Sequence, residues 1–362
     1  MVERIYNFSA GPAVLPLEVL EKAQRELLSL GGIGMSVMEI SHRSKHFAPI
    51  LEGAENGIRE LLKVPENYRI LFLQGGASLQ FSMVPLNFLG KNETADYVVT
   101  GTWGVKAVKE AQRCGNVNTI FSTADTGFKS VPLEDELNFS ANANYIHYTS
   151  NETIEGVEFK YDLDGKSIPV VCDASSNILS KPLDIEKYAL IYAGAQKNIG
   201  PSGVTLIIIR DDWLEKVPAN QHSMFDYRAI AAADSMLNTP NTWGIYIINL
   251  ICEHLENHGG LAAMQAKNEA KARILYDAID RSDGFYNGHA NRAARSVMNA
   301  TFRLPTEELE NRFATEAAAN GLDGLKGHRS VGGIRASIYN AFPKDGVAAL
   351  VDFMNDFADK NQ

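Results

Sequence analysis

Two residues, Asp173 and Lys197, place an acid and an amine at the ends of apolar, strand-like segments. Lys197 lies in LIYAGAQKNIGPSGVTLIIIR between two apolar runs, and Asp173 lies near the end of the run IPVVCDAS. The carboxyl ends of parallel strands line the ligand crevice of a sheet, so both side chains can reach one site. An ion pair or a pair of surface-loop residues is the plainer interpretation.

The chemistry of this pair matches one cofactor. A buried lysine has a lowered pKa and can act as an amine nucleophile or a Schiff-base partner. A buried aspartate needs a cationic partner, and a pyridinium nitrogen is one. Pyridoxal phosphate (PLP) satisfies both requirements, because it forms a Schiff base with a lysine and has a pyridine nitrogen that can be protonated. The pair therefore indicates a PLP site.

Two further segments would complete such a site. QGGAS follows an apolar run and precedes a helical pattern, so the backbone N–H groups near Ala77 and Ser78 can bind a phosphate at a helix N-terminus. The segment lacks the GxGxxG pattern of dinucleotide sites. Trp103, in TGTWG after the run DYVV, can stack on a flat ring, and an ordinary core tryptophan is the alternative.

The elements that would position these residues alternate along most of the chain. The pattern predicts a helix from Pro16 to about Leu30, a strand from Arg69 to Gly76, and a helix with a kink at Pro85. Further strand-like runs, with helical segments such as WGVKAVKEAQ among them, are DYVV, NTIF, NYIHY, IPVVCDAS, ALIYAGAQ and VTLIIIR. This alternation predicts a mainly parallel sheet that is covered on both faces.

From about Gly259 the pattern changes to a long helix followed by strand, helix, strand and helix, which predicts a smaller α+β lobe. We therefore expect a large domain over residues 16–258. A small domain would combine residues 1–15 and 259–362.

Composition excludes some classes of function. The 362-residue chain has a net charge of -10, which argues against nucleic-acid binding because phosphate contacts need a basic surface. The cysteines Cys114, Cys172 and Cys252 have no metal-ligand spacing and indicate reduced thiols in the cytosol. The N-terminus has no apolar core of signal-peptide length, and the runs VTLIII and GIYIINLI are too short to span a bilayer. We expect a cytoplasmic protein.

Long stretches spread over the whole chain carry a family pattern: NFSAGPAVLP, GMSVMEISHRSK, LFLQGGASLQFSMVPLN, SNETIEGVE, YAGAQKNIGPSG, MLNTPNTWGIY and GHRSVGGIRASIYNA. They resemble the phosphoserine aminotransferases, class V PLP-dependent enzymes of the aspartate-aminotransferase fold (fold type I). The resemblance implies an α/β fold, a homodimer, and ping-pong transamination in serine biosynthesis. The substrates would be phosphoserine with 3-phosphooxypyruvate and glutamate with 2-oxoglutarate. A second phosphorylated substrate in pyridoxine biosynthesis is left open.

The same resemblance implies roles for individual residues of the cofactor site. Lys197 would bind PLP covalently and move the substrate proton, Asp173 would bind the pyridine nitrogen, and Trp103 would stack on the ring. The other implied contacts are Ala77, Ser78 and Gln196 at the phosphate, Thr153 at the ring, and Asn238 and Thr239 from the second subunit.

Arginine and histidine residues would bind the substrate anions. Arginine bonds carboxylates and phosphates bidentately, although single arginines are usually solvated. The resemblance implies Arg335 for the α-carboxylate, and it implies a set for the distal anion that comprises His42, Arg43, His328 and Arg329. This chain has Ala77 and Ser78 in a loop where some family members carry an arginine.

Three alternatives stay open: a related aminotransferase such as the alanine–glyoxylate type, a cysteine desulfurase, and a non-catalytic sensor that keeps the PLP pocket. A desulfurase needs a mobile nucleophilic cysteine, and none of the three cysteines lies in a plausible flexible loop. We expect no metal ion. The histidines that match no site residue are assigned to structure or surface, and they are His147, His222, His254, His258 and His289.

Overall fold

Ten α-helices lie within residues 4–361, the part of the chain that the computed structural model describes. They are α1 (Leu17–Glu26), α2 (Ala48–Leu62), α3 (Gly76–Phe88), α4 (Thr102–Ala111), α5 (Asp211–Leu214), α6 (Tyr227–Ala232), α7 (Thr242–Asn257), α8 (Gly260–Asp280), α9 (Glu307–Ala319) and α10 (Lys344–Asp359). The first helix ends at Glu26 rather than near Leu30, since Ser29 takes an extended backbone. Pro85 lies inside α3, which continues to Phe88.

Fourteen strands lie within the same residues. They are β1 (Tyr6–Asn7), β2 (Tyr68–Leu73), β3 (Thr94–Val99), β4 (Asn116–Ser122), β5 (Ala143–Thr149), β6 (Asn151–Glu152), β7 (Val157–Glu158), β8 (Val170–Asp173), β9 (Leu190–Gly194), β10 (Thr205–Arg210), β11 (Asn287–Gly288), β12 (Asn299–Arg303), β13 (Leu322–Asp323) and β14 (Ile334–Ser337).

Seven strands form the main sheet, in the order β2-β10-β9-β8-β5-β3-β4. Strand β10 runs antiparallel to both of its neighbours, β2 and β9. The other pairs are parallel, so the prediction of a mainly parallel sheet is confirmed. No helix separates β9 from β10, and without a crossover helix the chain can return only in the opposite direction.

The sheet is buried on both faces. Along β10, Leu206 and Ile208 pack into one apolar cluster, whereas Ile207 and Ile209 pack into another on the opposite face. Helices α2 and α7 contribute to the first cluster, and α3 contributes to the second. Such two-sided burial explains why the strands read as continuous apolar runs. It also leaves the carboxyl ends of the parallel strands as the place where polar side chains converge.

A second lobe has its own core. Strands β11, β12 and β14 form an antiparallel sheet, against which α8, α9 and α10 pack. Phe8, from near the N-terminus, lies in the same cluster as Phe302 and Phe313, and β1 pairs in parallel with β13. The N-terminal segment therefore packs with the C-terminal lobe. The domain limits given above stay a prediction.

None of the helices in residues 4–361 combines the length and the apolar composition that crossing a bilayer requires.

Candidate active site

A cavity of about 300 Å³ lies where the carboxyl ends of β8 and β9 meet the first turn of α3. Nine residues singled out from the sequence line it: Ala77, Ser78, Trp103, Thr153, Asp173, Gln196, Lys197, His328 and Arg335. The structure thus brings together residues from both lobes that are far apart along the chain.

Lys197 lies in the turn that follows β9. Its Nζ donates a hydrogen bond of 2.6 Å to Thr153 Oγ1 and lies 5.2 Å from the centroid of the Trp103 ring. Burial lowers the pKa of Lys197 to about 8, although the carboxyl groups of Asp173 and Glu152 act in the opposite direction. The amine is therefore partly neutral near physiological pH, which a nucleophile or a base requires.

The N-terminal segment packs directly on the lysine turn. Ala13 N donates to Gln196 O over 2.9 Å. A Cβ atom at Gly11 would lie 3.4 Å from Lys197 Cγ, and Gly11 has a φ of 150°, which disfavours other residues. The aliphatic stem of the lysine is therefore held between this segment and its own turn.

Asp173 ends β8 and is buried, with 4% of its surface exposed. Its Oδ1 accepts hydrogen bonds from Ser175 Oγ (2.6 Å) and Ser175 N (3.0 Å). Ser175 Oγ in turn accepts from Gly194 N over 3.1 Å. Burial raises the pKa of Asp173, and the nearby charge of Lys197 opposes this effect. Within residues 4–361 the hydrogen bonds to this carboxylate fall on Oδ1, which leaves Oδ2 for a ligand.

Two buried glutamates, which sequence reasoning missed, hold the first turn of α4. Glu152 accepts from Trp103 N (3.0 Å) and Gly104 N (2.8 Å). Glu155 accepts from Thr102 N (3.0 Å) and from the Thr102 hydroxyl (2.5 Å). Burial raises the pKa of both carboxyl groups, and the nearby Glu155 raises that of Glu152 further. They fix the backbone that carries the Trp103 ring.

The first turn of α3 forms another wall of the cavity. Gly75 (φ 94°) and Gly76 (φ 67°) adopt the left-handed region, which glycine tolerates and other residues disfavour. This turn lets the helix begin immediately after β2, with Gly76, Ala77 and Ser78 lining the cavity. The first N–H groups of a helix have no intrahelical acceptors and carry its positive dipole end. The turn is therefore suited to a phosphate.

The far side of the cavity contains basic groups from the second lobe. Arg335, on β14, is half-buried, and its Nε has no hydrogen-bond partner within residues 4–361. Burial lowers the pKa of Arg335. His328 Nδ1 lies 2.7 Å from Ser330 Oγ, and burial lowers the pKa of this imidazole. Arg329 is adjacent and exposed, and it does not line the cavity.

Besides Arg329, four predicted site residues lie outside the cavity: His42, Arg43, Asn238 and Thr239. Asn238 Nδ2 donates to Gln74 Oε1 (3.1 Å), and Gln74 Nε2 donates to Thr239 O (3.2 Å). The pair thus lies beside the turn that leads into α3. Arg43 is exposed and His42 is half-buried in the segment before α2. Their assigned roles stay predictions.

Comparison with known proteins agrees with this geometry. The family model for class-V aminotransferases matches residues 5–350. The phosphoserine aminotransferase of Geobacillus kaustophilus is 51% identical over 356 residues, which are 98% of this chain and 99% of the relative. A solved structure of the enzyme from Bacillus circulans subsp. alkalophilus has a TM-score of 0.98 at 47% identity and covers 100% of both chains.

A solved structure of PLP-bound phosphoserine aminotransferase from Trichomonas vaginalis has a TM-score of 0.92 at 43% identity and covers 97% of this chain and 100% of its own. The α/β architecture, with its mainly parallel sheet, is accordingly that of the fold type I PLP-dependent enzymes. The chain belongs to the class-V aminotransferase family and, within it, to the phosphoserine aminotransferases.

Proposed function

We propose that this chain is a PLP-dependent aminotransferase that exchanges an amino group between phosphoserine with 3-phosphooxypyruvate and glutamate with 2-oxoglutarate. One observation carries the proposal: Lys197, Asp173 and Arg335 share a single cavity in a chain that is about half identical to phosphoserine aminotransferases along its whole length. We further infer that it serves serine biosynthesis in the cytoplasm, where its three unpaired cysteine thiols would stay reduced.

The residues of the cavity fit PLP. The cavity, at about 300 Å³, is at the lower end of the usual range for small-ligand sites. The first turn of α3 offers N–H groups for the phosphate, Trp103 offers a flat ring, and Asp173 Oδ2 is available to a protonated pyridine nitrogen. When bound, PLP supplies an electron sink for the pair of electrons that remains on the substrate Cα after deprotonation.

Lys197 performs the proton transfer. Its pKa of about 8 leaves part of the population neutral near pH 7.5, so Nζ can accept the proton from the substrate Cα, hold it, and donate it again later in the exchange. The hydroxyl of Thr153 holds Nζ in place from 2.6 Å. Asp173, buried and fixed by Ser175, stabilises positive charge at the ring nitrogen.

The basic groups orient the substrate. Arg335 binds the α-carboxylate, because its guanidinium faces the cavity and can bond a carboxylate bidentately. His328 lines the same wall and binds the distal anion together with Arg329, His42 and Arg43. This chain has Ala77 and Ser78 in the loop where some family members carry an arginine, so these groups bind the distal anion without a contact from that loop.

The proposal includes a homodimer. Asn238 and Thr239 are largely exposed beside the turn into α3, and we assign them to the phosphate site of the second subunit. Diluting the protein until it dissociates should then release PLP. A monomer that binds PLP as tightly as the dimer would contradict this assignment.

Half-reactions test the proposed activity directly. The PLP-loaded protein is mixed with phosphoserine, glutamate, alanine or cysteine, and the absorbance of the cofactor is followed. We expect conversion with phosphoserine and glutamate, and none in Lys197→Ala. The exposed Lys91→Ala is the matched control and should behave as the unaltered chain.

The outcome separates the alternatives. Preference for alanine would indicate an alanine–glyoxylate type enzyme, and ligand binding without conversion would indicate a sensor. Sulfur release from cysteine would indicate a desulfurase. That outcome is disfavoured because Cys172 and Cys252 are buried, and burial raises the pKa of Cys172 to about 12.

A further inference from the structure

Helices α1 and α7 bring three potential metal ligands together away from the cavity. His254 and His258 lie one turn apart on α7 and its C-terminal cap, and Glu18 faces them from the first turn of α1. One ligand atom from each side chain lies within 4.8 Å of the others. Two histidines in an i, i+4 arrangement project from the same helix face.

A backbone hydrogen bond orients the imidazole ring of His258. His258 Nδ1 lies 2.7 Å from the backbone carbonyl of His254, so this nitrogen carries the proton and donates it. In the neutral tautomer that makes this hydrogen bond, Nε2 is the nitrogen with the free lone pair, and it lies 3.7 Å from Glu18 Oε1. A hydrogen bond from the second ring nitrogen to a carbonyl is the usual way in which metal-binding histidines are fixed.

The ligand atoms lie close enough for a small rearrangement to bring them around a tetrahedral ion. Metal–ligand bonds of about 2.0–2.1 Å place two ligands of a tetrahedron about 3.4 Å apart. His254 Nδ1 lies 3.2 Å from Glu18 Oε2, His258 Nε2 lies 3.7 Å from Glu18 Oε1, and one ligand atom of each residue lies within 4.8 Å of the others. Coordination would therefore require side-chain shifts of up to about an ångström, with a fourth position for water.

A second contact joins the same two helices beside the proposed ligands. Lys22 Nζ on α1 and Glu253 Oε2 on α7 form an ion pair over 2.8 Å. The two helices that carry the ligands are therefore already packed against each other.

We propose that Glu18, His254 and His258 form a binding site for a divalent transition-metal ion that links α1 to α7. Imidazole and carboxylate ligands suit Zn²⁺, and the site is three-coordinate from the protein. The ion would hold α1 on α7, and it would leave the chemistry of the cavity unchanged. This inference does not depend on the proposed aminotransferase activity.

Zn²⁺ is the probe for the test. The full-length, PLP-loaded protein competes with a chromophoric chelator for Zn²⁺, and the His254→Gln/His258→Gln double variant is compared with His222→Gln, which alters an exposed histidine elsewhere. We expect the double variant to lose one equivalent of binding, or to weaken it at least about tenfold, whereas His222→Gln should match the unaltered chain. The melting temperature should rise with Zn²⁺ in the unaltered chain and not in the double variant.

If the double variant folds poorly, Glu18→Gln provides a second test. The side chain of Glu18 is 68% exposed, so its replacement should not disturb the hydrophobic core. It should also weaken the binding of Zn²⁺. Equal stoichiometry and affinity in the unaltered chain and in Glu18→Gln would overturn the proposal. The same holds for Zn²⁺ binding that is unchanged in a folded double variant, since the three residues would then form an ordinary imidazole–carboxylate contact.

Discussion

The Lys197 amine donates a 2.6 Å hydrogen bond to the Thr153 hydroxyl, and this contact joins the turn after β9 to the turn between β6 and β7. The bond keeps the amine close to the Trp103 ring, at 5.2 Å from its centroid. The pKa of Lys197 therefore depends on its surroundings in the folded protein. This pKa can be measured without the cofactor.

We expect Lys197 in the PLP-free protein to titrate near pH 8, well below the value of about 10.4 for an ordinary lysine. Burial favours the neutral amine, so the reactive fraction rises as the pH passes through about 8. Competitive acetylation at several pH values, quantified by mass spectrometry, measures this fraction, with exposed Lys91 as the reference in the same digest. Asp173→Asn should shift the titration to lower pH, because Asp173 raises the pKa of Lys197. Identical pH profiles for Lys197 and Lys91 would show that burial has no such effect.

Glu152→Ala should weaken PLP binding roughly tenfold or more. The change removes the acceptor of the Trp103 and Gly104 N–H groups, and a buried donor that is left unsatisfied costs about 1–3 kcal/mol. Titration of the PLP-free protein with PLP, followed by tryptophan fluorescence, gives the affinity. Glu110→Ala, near the other end of α4, is the control. Unchanged affinity in a folded Glu152→Ala protein would mean that this carboxylate does not position the ring.

Arg329→Ala and His328→Ala should raise the KM for phosphoserine more than the KM for glutamate. A phosphate carries about -1.5 to -2 charges and three acceptor oxygens, so it engages more donors than a carboxylate. Arg335→Ala should impair both half-reactions to a similar extent, because both substrates share the α-carboxylate. We expect effects of roughly tenfold to a hundredfold. If Arg329→Ala affected both substrates equally, this division of roles would be wrong.

Lys271→Met should lower the free energy of unfolding by about 3 kcal/mol or more. Lys271 Nζ donates to the backbone carbonyls of Ile338 (3.0 Å), Tyr339 (2.6 Å) and Phe342 (3.1 Å), and the change leaves these acceptors without their donor. Denaturant unfolding measures the difference. Lys267→Met, at an exposed position one turn earlier on α8, is the matched control and should have little effect. A stability loss of the same size in both variants would refute the explanation.

The sequence predicted the parts of the fold and site that local patterns specify. Apolar runs located the main strands, and their ends drew attention to Asp173 and Lys197, which the structure brings to one cavity. Glu152 was missed, because its importance follows from contacts with Trp103, which is remote in sequence. The reversed direction of β10 was also missed, since apolar runs carry no information about strand direction.

The histidines of α7 show a different limit. The spacing of His254 and His258 in EHLENH is visible in the sequence, and it could have signalled a ligand pair. The third ligand, Glu18, comes from a helix at the other end of the chain, so only the packing of α1 on α7 reveals the set. The sequence-based expectation is that no metal ion binds, and the proposed site contradicts it. The Zn²⁺ measurement decides between the two.

The placement of β2 has a consequence for synthesis on the ribosome. This strand lies at the edge of the sheet and pairs only with β10 in the described part of the chain, although β2 ends at Leu73 and β10 begins at Thr205. A nascent chain that has produced β3, β5 and β8 can begin to assemble those strands, while the apolar YRILFL segment still lacks its partner. An apolar strand that waits for a distant partner is exposed to aggregation. The period between the translation of these two strands is thus when the growing polypeptide would most depend on chaperones.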